Sequence, residues 1–533
     1  MTRFNCNPNV VLSPNHFSPG SSAEKREFQR LQARLKPLFE KVFFDKKAPR
    51  TVVIIPSLTL DPEEMAKIPG LYHYEERLLC LLLLLQLPCT RIILVTSRPV
   101  PDAIIDYYLH MVPGVPGLHA RRRLTLFSCH DNSPISLTEK ILRRPRLIQR
   151  IREAIPDPEF AHITCFNSTP LERTLAVKLG IPLYANDPDL AHLGNKNYSR
   201  QVFKEAGVPL PDGFEHLKHK EDIIEALTQL KLRHPELRKA VIKLNESFSG
   251  EGNATFSYEG APEEAGALRA WIAEELPQRI HFEAEGESWP HYLEKFEEMG
   301  GIVECWIDGA VKRSPSVQCR INPLRQIELI STHDQILGGP TGQIYLGCWF
   351  PADEAYRLDL QEAGLKIAEV LNRYGVLGRF SVDFVSVQKD DGSWSHYAVE
   401  INLRKGGTTF PYLLLHFLVN GRFDPETGLY FTPSGHPRYY FASDDLMSEN
   451  YLGLLPSDLI DIMVYNGLHF HGPTQQGVIF HMMGPLSEYG KFGLVSIGDS
   501  YETAKVQYQD TISLLNRITA FQHAPERAEK IIS

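Results

Sequence analysis

The chain has 533 residues, 43% of them hydrophobic, and a formal net charge of −9. That length accommodates roughly three domains with ordinary globular cores. The acidic balance argues against a general nucleic-acid or anionic-membrane binder, and the eight cysteines (Cys6, Cys80, Cys89, Cys129, Cys165, Cys305, Cys319, Cys348) form no CxxC pair, so neither a zinc knuckle nor a redox pair is signalled.

Residues 1–49 form an N-terminal extension. Its first part, to 21, is a polar tail rich in Asn, Pro and Ser. Leu31, Leu35, Leu38 and Phe39 then recur at helical spacing and predict a helix over 22–44. Residues 50–190 carry short β-rich runs at 51–56, 91–96, 123–128 and 161–166, separated by helical stretches. Such alternation predicts βαβ units and a parallel sheet. No Gly-x-Gly-x-x-Gly follows the first strand, so a dinucleotide site is not signalled. The leucine-rich run 78–87 is too short to cross a bilayer and predicts a buried core helix. Tyr74-Glu75-Glu76-Arg77 opens that helix, where its charges either pair locally or touch a substrate. No secretory leader is read at the N-terminus. With cysteines in apolar runs, this predicts reduced thiols and a cytoplasmic location.

Residues 191–410 have another texture. A helix near 195–206 ends at Gly207, and Pro209 and Pro211 lie beyond it as stop signals. A strand over 240–244 carries Lys243 and runs into the small-residue loop ESFSGEGNA. Small residues let successive backbone N–H groups close over an anion; a Gly-rich hairpin turn is the plainer alternative. An apolar strand over 301–307 contains Glu304 and precedes Asp308-Gly309, and a helix is expected over 354–373. Residues 411–533 form a C-terminal α+β region: an apolar helix over 411–419, strands near 477–483 and 492–497, and a final helix near 500–517.

The segment GRFSVDFVSVQKDDGSWSHYAVEINLR holds the most informative pattern. Asp391-Gly392 predicts a two-residue type I′ turn. A hairpin closed by that turn without a bulge sets Asp383 opposite Glu400, with Asn402 pointing the same way as Glu400. Like charges so paired destabilise a sheet. A Mg²⁺ ion, which shares carboxylate oxygens with substrate phosphates, turns that repulsion into a site. The alternative is an exposed hairpin whose acids are incidental.

The order of these features resembles the ATP-grasp superfamily. LGNKNYSRQVFKEAGVPLPDG, VIKLNESFSGEGNA, GIVECWIDG, VDF and VEINLR look like its two lysine segments, phosphate-covering loop, hinge and metal ligands. PSLTLDPEEMAKIPGLYHYEERLL, ISTHDQILGG and MMGPLSEYGKFGLVSIGDS resemble the carboxylate-amine ligases related to the pheganomycin peptide ligase. The resemblance implies a pre-ATP-grasp parallel α/β domain followed by a two-lobed ATP-grasp fold, an α/β and α+β multidomain protein. It implies ADP-forming ligation of a small-molecule carboxylate to an amine through an acyl phosphate. The ligands it implies are ATP and one or two Mg²⁺ ions, with Mn²⁺ as a substitute. No nucleic-acid or membrane partner is implied, and a homo-oligomer is compatible with it. An ATP-grasp kinase and a nucleotide-binding module without turnover are the alternatives.

By this resemblance, Lys196 and Lys243 contact the α- and β-phosphates, and Ser247, Ser249, Gly250 and Gly252 cover them. Glu304 and the backbone of Trp306 and Ile307 read adenine. Asp383, Glu400 and Asn402 hold the metal, and Arg404 and Arg320 are the cations for the acyl phosphate. Two positions depart from the pattern. Residues 310–311 are Ala-Val where relatives place an acid for the ribose, so Asp308 is the substitute. Ser381 stands where relatives place an arginine, and Arg379 is expected on the opposite face. His333-Asp334 is either a contact to the acceptor or an Asx-type turn. Cys305, Cys319 and Cys348 are read as packing residues, and His469 and His471 are too few for a metal site.

Overall fold

The computed structural model of the protein describes residues 17–59, 65, 70–246, 252–338, 342 and 344–522. The loop residues Ser247, Ser249 and Gly250 lie outside them; Gly252 is described and buried.

Strands β1 (Arg50–Ile55), β2 (Thr90–Thr96), β3 (Leu124–Ser128) and β4 (Ala161–Cys165) form the parallel sheet that the alternating pattern implies, in order β3-β2-β1-β4. The apolar runs of β1, β2 and β4 fit burial on both faces, whereas the edge strand β3 is half-buried. The predicted helix over 22–44 is interrupted at Ala33-Arg34 and forms two, Ser22–Gln32 and Leu35–Phe44. The leucine-rich run is helical but wound as a 3₁₀ helix, Leu71–Gln86, buried on most of its surface. A 3₁₀ run of that length is uncommon.

A second sheet is antiparallel. Strands β5 (Gly213–Leu217), β6 (Lys239–Leu244), β7 (Asn253–Ser257), β8 (Ile280–Phe282) and β9 (Gly301–Cys305) pair in the order β5-β9-β6-β7-β8. Helices Lys220–Arg233, Ala265–Arg279 and Trp289–Met299 pack on it around a core of its own.

The third sheet has 11 strands. Strands β10 (Lys312–Arg313), β11 (Pro315–Ile321), β12 (Ile327–Gly338), β13 (Ile344–Phe350), β14 (Gly378–Gln388) and β15 (Trp394–Asn402) make one part. The C-terminal strands β16 (Arg422–Asp424), β17 (Leu429–Phe431), β18 (Pro437–Met447), β19 (Gly477–His481) and β20 (Lys491–Gly498) extend the same sheet, because β18 pairs with β13. One apolar core runs from β1 and β2 through the 3₁₀ helix and helix Thr409–Val419 into β18 and β20. Residues distant in sequence therefore meet around a single cleft.

No helix among the described residues is long and apolar enough to cross a membrane. None of the seven described cysteines is in a disulfide.

Candidate functional site

Asp383 and Glu400 are cross-strand partners, although the hairpin is built differently from the expected two-residue turn. Gly392 alone of the Asp391-Gly392 pair has positive φ, 84°. The Gly392 amide donates to Lys389 O at 2.9 Å and the Lys389 amide to Ser393 O at 2.8 Å. This is a three-residue loop, a turn followed by a left-handed glycine. A regular ladder from that loop would set Val399 against Asp383. Instead the register shifts between Phe384↔Ala398 and Asp383↔Glu400, so Val399 is an extra residue and Glu400 takes the facing position.

The two carboxylates have different surroundings. Burial, and then Glu400 opposite, push the Asp383 carboxyl up to about 6. Its oxygens accept from Gln335 Nε2 at 2.9 Å and Asn402 Nδ2 at 3.0 Å. Burial would also raise Glu400, but Lys196 with Arg404 and Lys243 outweighs it, so this carboxyl lies below its ordinary value. Lys196 Nζ forms an ion pair with Glu400. Asn195 caps that lysine's helix, Lys196–Ala206, and the Lys196 amide donates to Asn245 O at 3.1 Å, fixing the helix start against the end of β6.

Lys243, on β6, pairs with Glu304 on β9 at 2.5 Å, and the second Glu304 oxygen accepts from Arg200 Nη1 at 3.0 Å. All three side chains are buried. Both oxygens of the expected adenine-reading carboxylate are thus held by cations. Trp306 and Ile307 follow β9, and Lys312 Nζ lies 3.9 Å from the centroid of the Trp306 ring. Asp308 is exposed and accepts from the Gly309 amide at 3.0 Å.

One cavity of about 430 Å³ is bordered by Lys196, Lys243, Glu304, Trp306, Ile307, Asp383, Glu400, Asn402 and Arg404. The same cavity continues to Tyr74 and Arg77 of the 3₁₀ helix and to Asp444, Asp445 and Lys491 of β18 and β20. Of these five, only Tyr74 and Arg77 were weighed from the sequence, and there between local pairing and substrate contact. Arg404 and Arg77 stand on the same aromatic ring, each guanidinium carbon 5.9 Å from the Phe166 centroid.

Arg320 is placed elsewhere. It forms ion pairs with Glu328 and is the direct cross-strand partner of Arg379. Arg379 shares the Asp383 side of β14, contrary to the expectation of opposite faces, because four residues are two full strand periods. His333 and Asp334 are held within the sheet. His333 Nε2 is 2.5 Å from Tyr440 Oη, and Asp334 accepts from Trp349 Nε1 at 3.0 Å, the Asp353 amide at 2.9 Å and Tyr356 Oη at 2.7 Å. Burial pushes the thiols of Cys305, Cys319 and Cys348 up to about 12.

Among the described residues, no three His, Cys, Asp or Glu side chains gather where they would hold a metal by themselves. Two facing carboxylates and Asn402 nevertheless suit Mg²⁺, which binds one or two carboxylates and completes its shell with water and phosphate oxygens. Burial and then the facing Glu400 raise Asp383, and a bound cation would offset both.

A small antiparallel lobe set over a large sheet, with lysines, acids and arginine converging on the cleft between them, defines a nucleotide-grasping fold of two lobes. The chain carries an ATP-grasp region. Residues 188–260 and 267–426 match the family model described as IQCH-like, ATP-grasp, and residues 458–511 match one described as PGM1 C-terminal domain. The chain is 28% identical over 463 residues to the L-propargylglycine–L-glutamate ligase of Streptantibioticus cattleyicolor, covering 85% of this chain and 92% of that one. It is 19% identical over 540 residues to IQ motif-containing protein H of Danio rerio and spans about half of that relative, 51%, with 92% of its own length. Among solved structures it matches a biotin carboxylase–β-γ-ATP complex from Campylobacter jejuni. The TM-score is 0.53, the identity 13%, and the match covers 88% of this chain and 91% of that one, a likeness of fold.

Proposed function

We propose that the protein is an ATP- and Mg²⁺-dependent carboxylate–amine ligase of the ADP-forming type, acting on small molecules. The observation that carries this is the convergence of Asp383, Glu400 and Asn402 with Lys196, Lys243 and Arg404 on one cavity. The likeness to a ligase over 85% of the chain supports it. Phosphoryl transfer needs positioning and charge neutralisation rather than a protein nucleophile. The Cys305 thiol, pushed up to about 12 by burial, is not poised as one.

In this reading Lys196 and Lys243 neutralise the α- and β-phosphates, and Glu304 with Arg200 fixes Lys243 in place. The Trp306–Ile307 backbone faces adenine, and residues 247–252 cover the phosphates. Asp383, Glu400 and Asn402 would hold one or two Mg²⁺ ions, with Mn²⁺ as a substitute; bound there, the metal would offset the charge of the phosphates. Arg404 steadies the substrate carboxylate as its oxygen attacks the γ-phosphorus and ADP leaves. The amine then adds to the acyl carbon, phosphate leaves, and an amide remains. The free cysteines support a cytoplasmic setting.

The test is isotopic. Oxygen-18 placed in the substrate carboxylate becomes the bridging atom of the acyl phosphate and must appear in released phosphate. A kinase acting on a hydroxyl releases no labelled phosphate, and an adenylating enzyme places the label in AMP. Label in AMP, or none in phosphate during measured amide formation, overturns the mechanism.

A further inference from the structure

The cavity wall beyond Arg404 carries four charges in two ion pairs. Arg77 Nη2 meets Asp444 Oδ2 at 2.5 Å, and Lys491 Nζ meets Asp445 Oδ1 at 2.5 Å. Asp444 and Asp445 are adjacent in β18, where consecutive side chains ordinarily point to opposite faces. A bulge removes that alternation. Ser443 pairs with Leu494 and Leu446 with Phe492, so both aspartates oppose the single residue Gly493. The His481 ring occupies the place a side chain at 493 would need, so only glycine fits opposite the two aspartates. Both acids then border the cavity.

The arginine is anchored as part of a wall. Its side chain is 11% exposed, its guanidinium lies 4.5 Å from the Tyr74 ring centroid, and its Nε is buried without a hydrogen-bond partner among the described residues. Lys491 Nζ also donates to Tyr74 Oη at 3.3 Å. Buried ion pairs contribute little net stability compared with apolar packing. One largely buried pair and one half-buried pair on the lining of a concave site are therefore better placed for recognition than for holding the fold. The four charges sum to zero. A lone carboxylate meets the two aspartates, and a lone ammonium meets Arg77 and Lys491. A group bearing both charges a few bonds apart satisfies all four.

We propose that Arg77, Asp444, Asp445 and Lys491 form the recognition site for the zwitterionic head group of an α-amino acid substrate. The ammonium sits against the bulged aspartates and the α-carboxylate against Arg77 and Lys491. This rests on the ligase reading and names one of its substrate classes.

The experiment is calorimetric binding of the standard L-amino acids to the full chain with Mg²⁺ and the non-hydrolysable analogue AMP-PNP. Each binder is retested as its N-acetyl derivative and its α-methyl ester. At least one amino acid should bind, and masking either charge should weaken it tenfold or more. Asp445→Asn should reduce the penalty for N-acetylation, and Lys491→Met that for esterification, with AMP-PNP affinity unchanged as the control for folding. A purely structural quartet would leave both discriminations at the wild-type value, which overturns the proposal. Binding of N-acyl or simple carboxylates with no free amino acid bound also overturns it. So does the absence of any binder while AMP-PNP binds. ADP release from simple carboxylates and amines in those cases leaves the ligase reading standing; absence of Mg²⁺-dependent ADP release from every mixture removes the ligase reading instead.

Discussion

Asp383 and Glu400 face each other because Val399 is extruded from β15, one residue beyond what the three-residue loop before it would allow. A second bulge in β18 sets Asp444 and Asp445 on the same cavity. Bulges re-aim side chains and are frequent beside active sites. Here each one moves an acid out of the strict alternation that would otherwise turn it away. Two of the four register shifts in the large sheet thereby serve one cleft.

Asp383→Asn is expected to abolish Mg²⁺-dependent ADP release, by at least about a hundredfold, and to leave the protein at least as thermally stable as the parent. The carboxyl is already pushed up to about 6 by burial and by Glu400, so neutralising it relieves a repulsion. Activity together with thermal melting in metal-free buffer checks both halves. Near-normal turnover would remove the metal role.

Glu304→Ala should behave in the opposite way. It leaves Lys243 and Arg200 buried without their shared carboxylate. Removing one partner of a buried ion pair costs about 3–5 kcal/mol. Urea denaturation should register that loss, and ATP affinity should fall because Lys243 is no longer held. A variant of wild-type stability would mean that solvent reaches these charges.

Much of this was legible in the sequence. Four β-rich runs alternating with helices specify the parallel sheet, since period and length separate strand from helix there. The Asp383–Glu400 pairing was legible too, but through compensating differences: the loop is one residue longer than a type I′ turn, and the bulge at Val399 restores the register. Neither deviation has a signature in residue type alone. Asp444, Asp445 and Lys491 were not legible, being ordinary surface-type residues whose meeting with Arg77 depends on a sequence separation of several hundred residues. Asp-Asp in a strand reads as one acid per face unless the bulge is known. Arg379 was misassigned by face, an error of period and not of chemistry. Residues 247–251 lie outside the described residues, so the phosphate-covering loop remains a proposal resting on the resemblance.

Alkylation should separate the cysteines cleanly. Cys89 is exposed, whereas burial pushes Cys80, Cys165, Cys305, Cys319 and Cys348 up to about 12 and Cys129 to about 11. Only the thiolate attacks an alkylating agent. Iodoacetamide on the native protein at pH 7.5 should therefore modify Cys89 among these seven and leave ADP release intact. Peptide mass mapping reads the outcome, and modification of Cys305 with loss of activity would show that the cleft activates that thiol.

The pH dependence of stability should carry the mark of Glu75. This residue of the 3₁₀ helix is 6% exposed and accepts from the Ser97 amide at 2.7 Å and the Ser97 hydroxyl at 2.5 Å. Lys140 Nζ donates to the same hydroxyl at 2.9 Å, and Glu76 adds a like charge nearby. Burial is the largest influence, and it raises the carboxyl from its ordinary 4.5 to about 7 despite Ser97 and Lys140. The folded protein therefore keeps this proton up to about pH 7, while the unfolded chain releases it near 4.5. Between those values the unfolded state binds fewer protons, so stability falls as pH rises through the window and levels off above it. The gap corresponds to on the order of 3 kcal/mol. Glu75→Gln keeps the shape and cannot ionise. The difference in unfolding free energy between wild type and Glu75→Gln should consequently shift in favour of the variant from pH 4.5 to 7 and stay constant to pH 8. Other groups titrate identically in both proteins and cancel. A difference that does not change with pH would show that Glu75 is ionised in the folded protein, paired with Lys140 across Ser97.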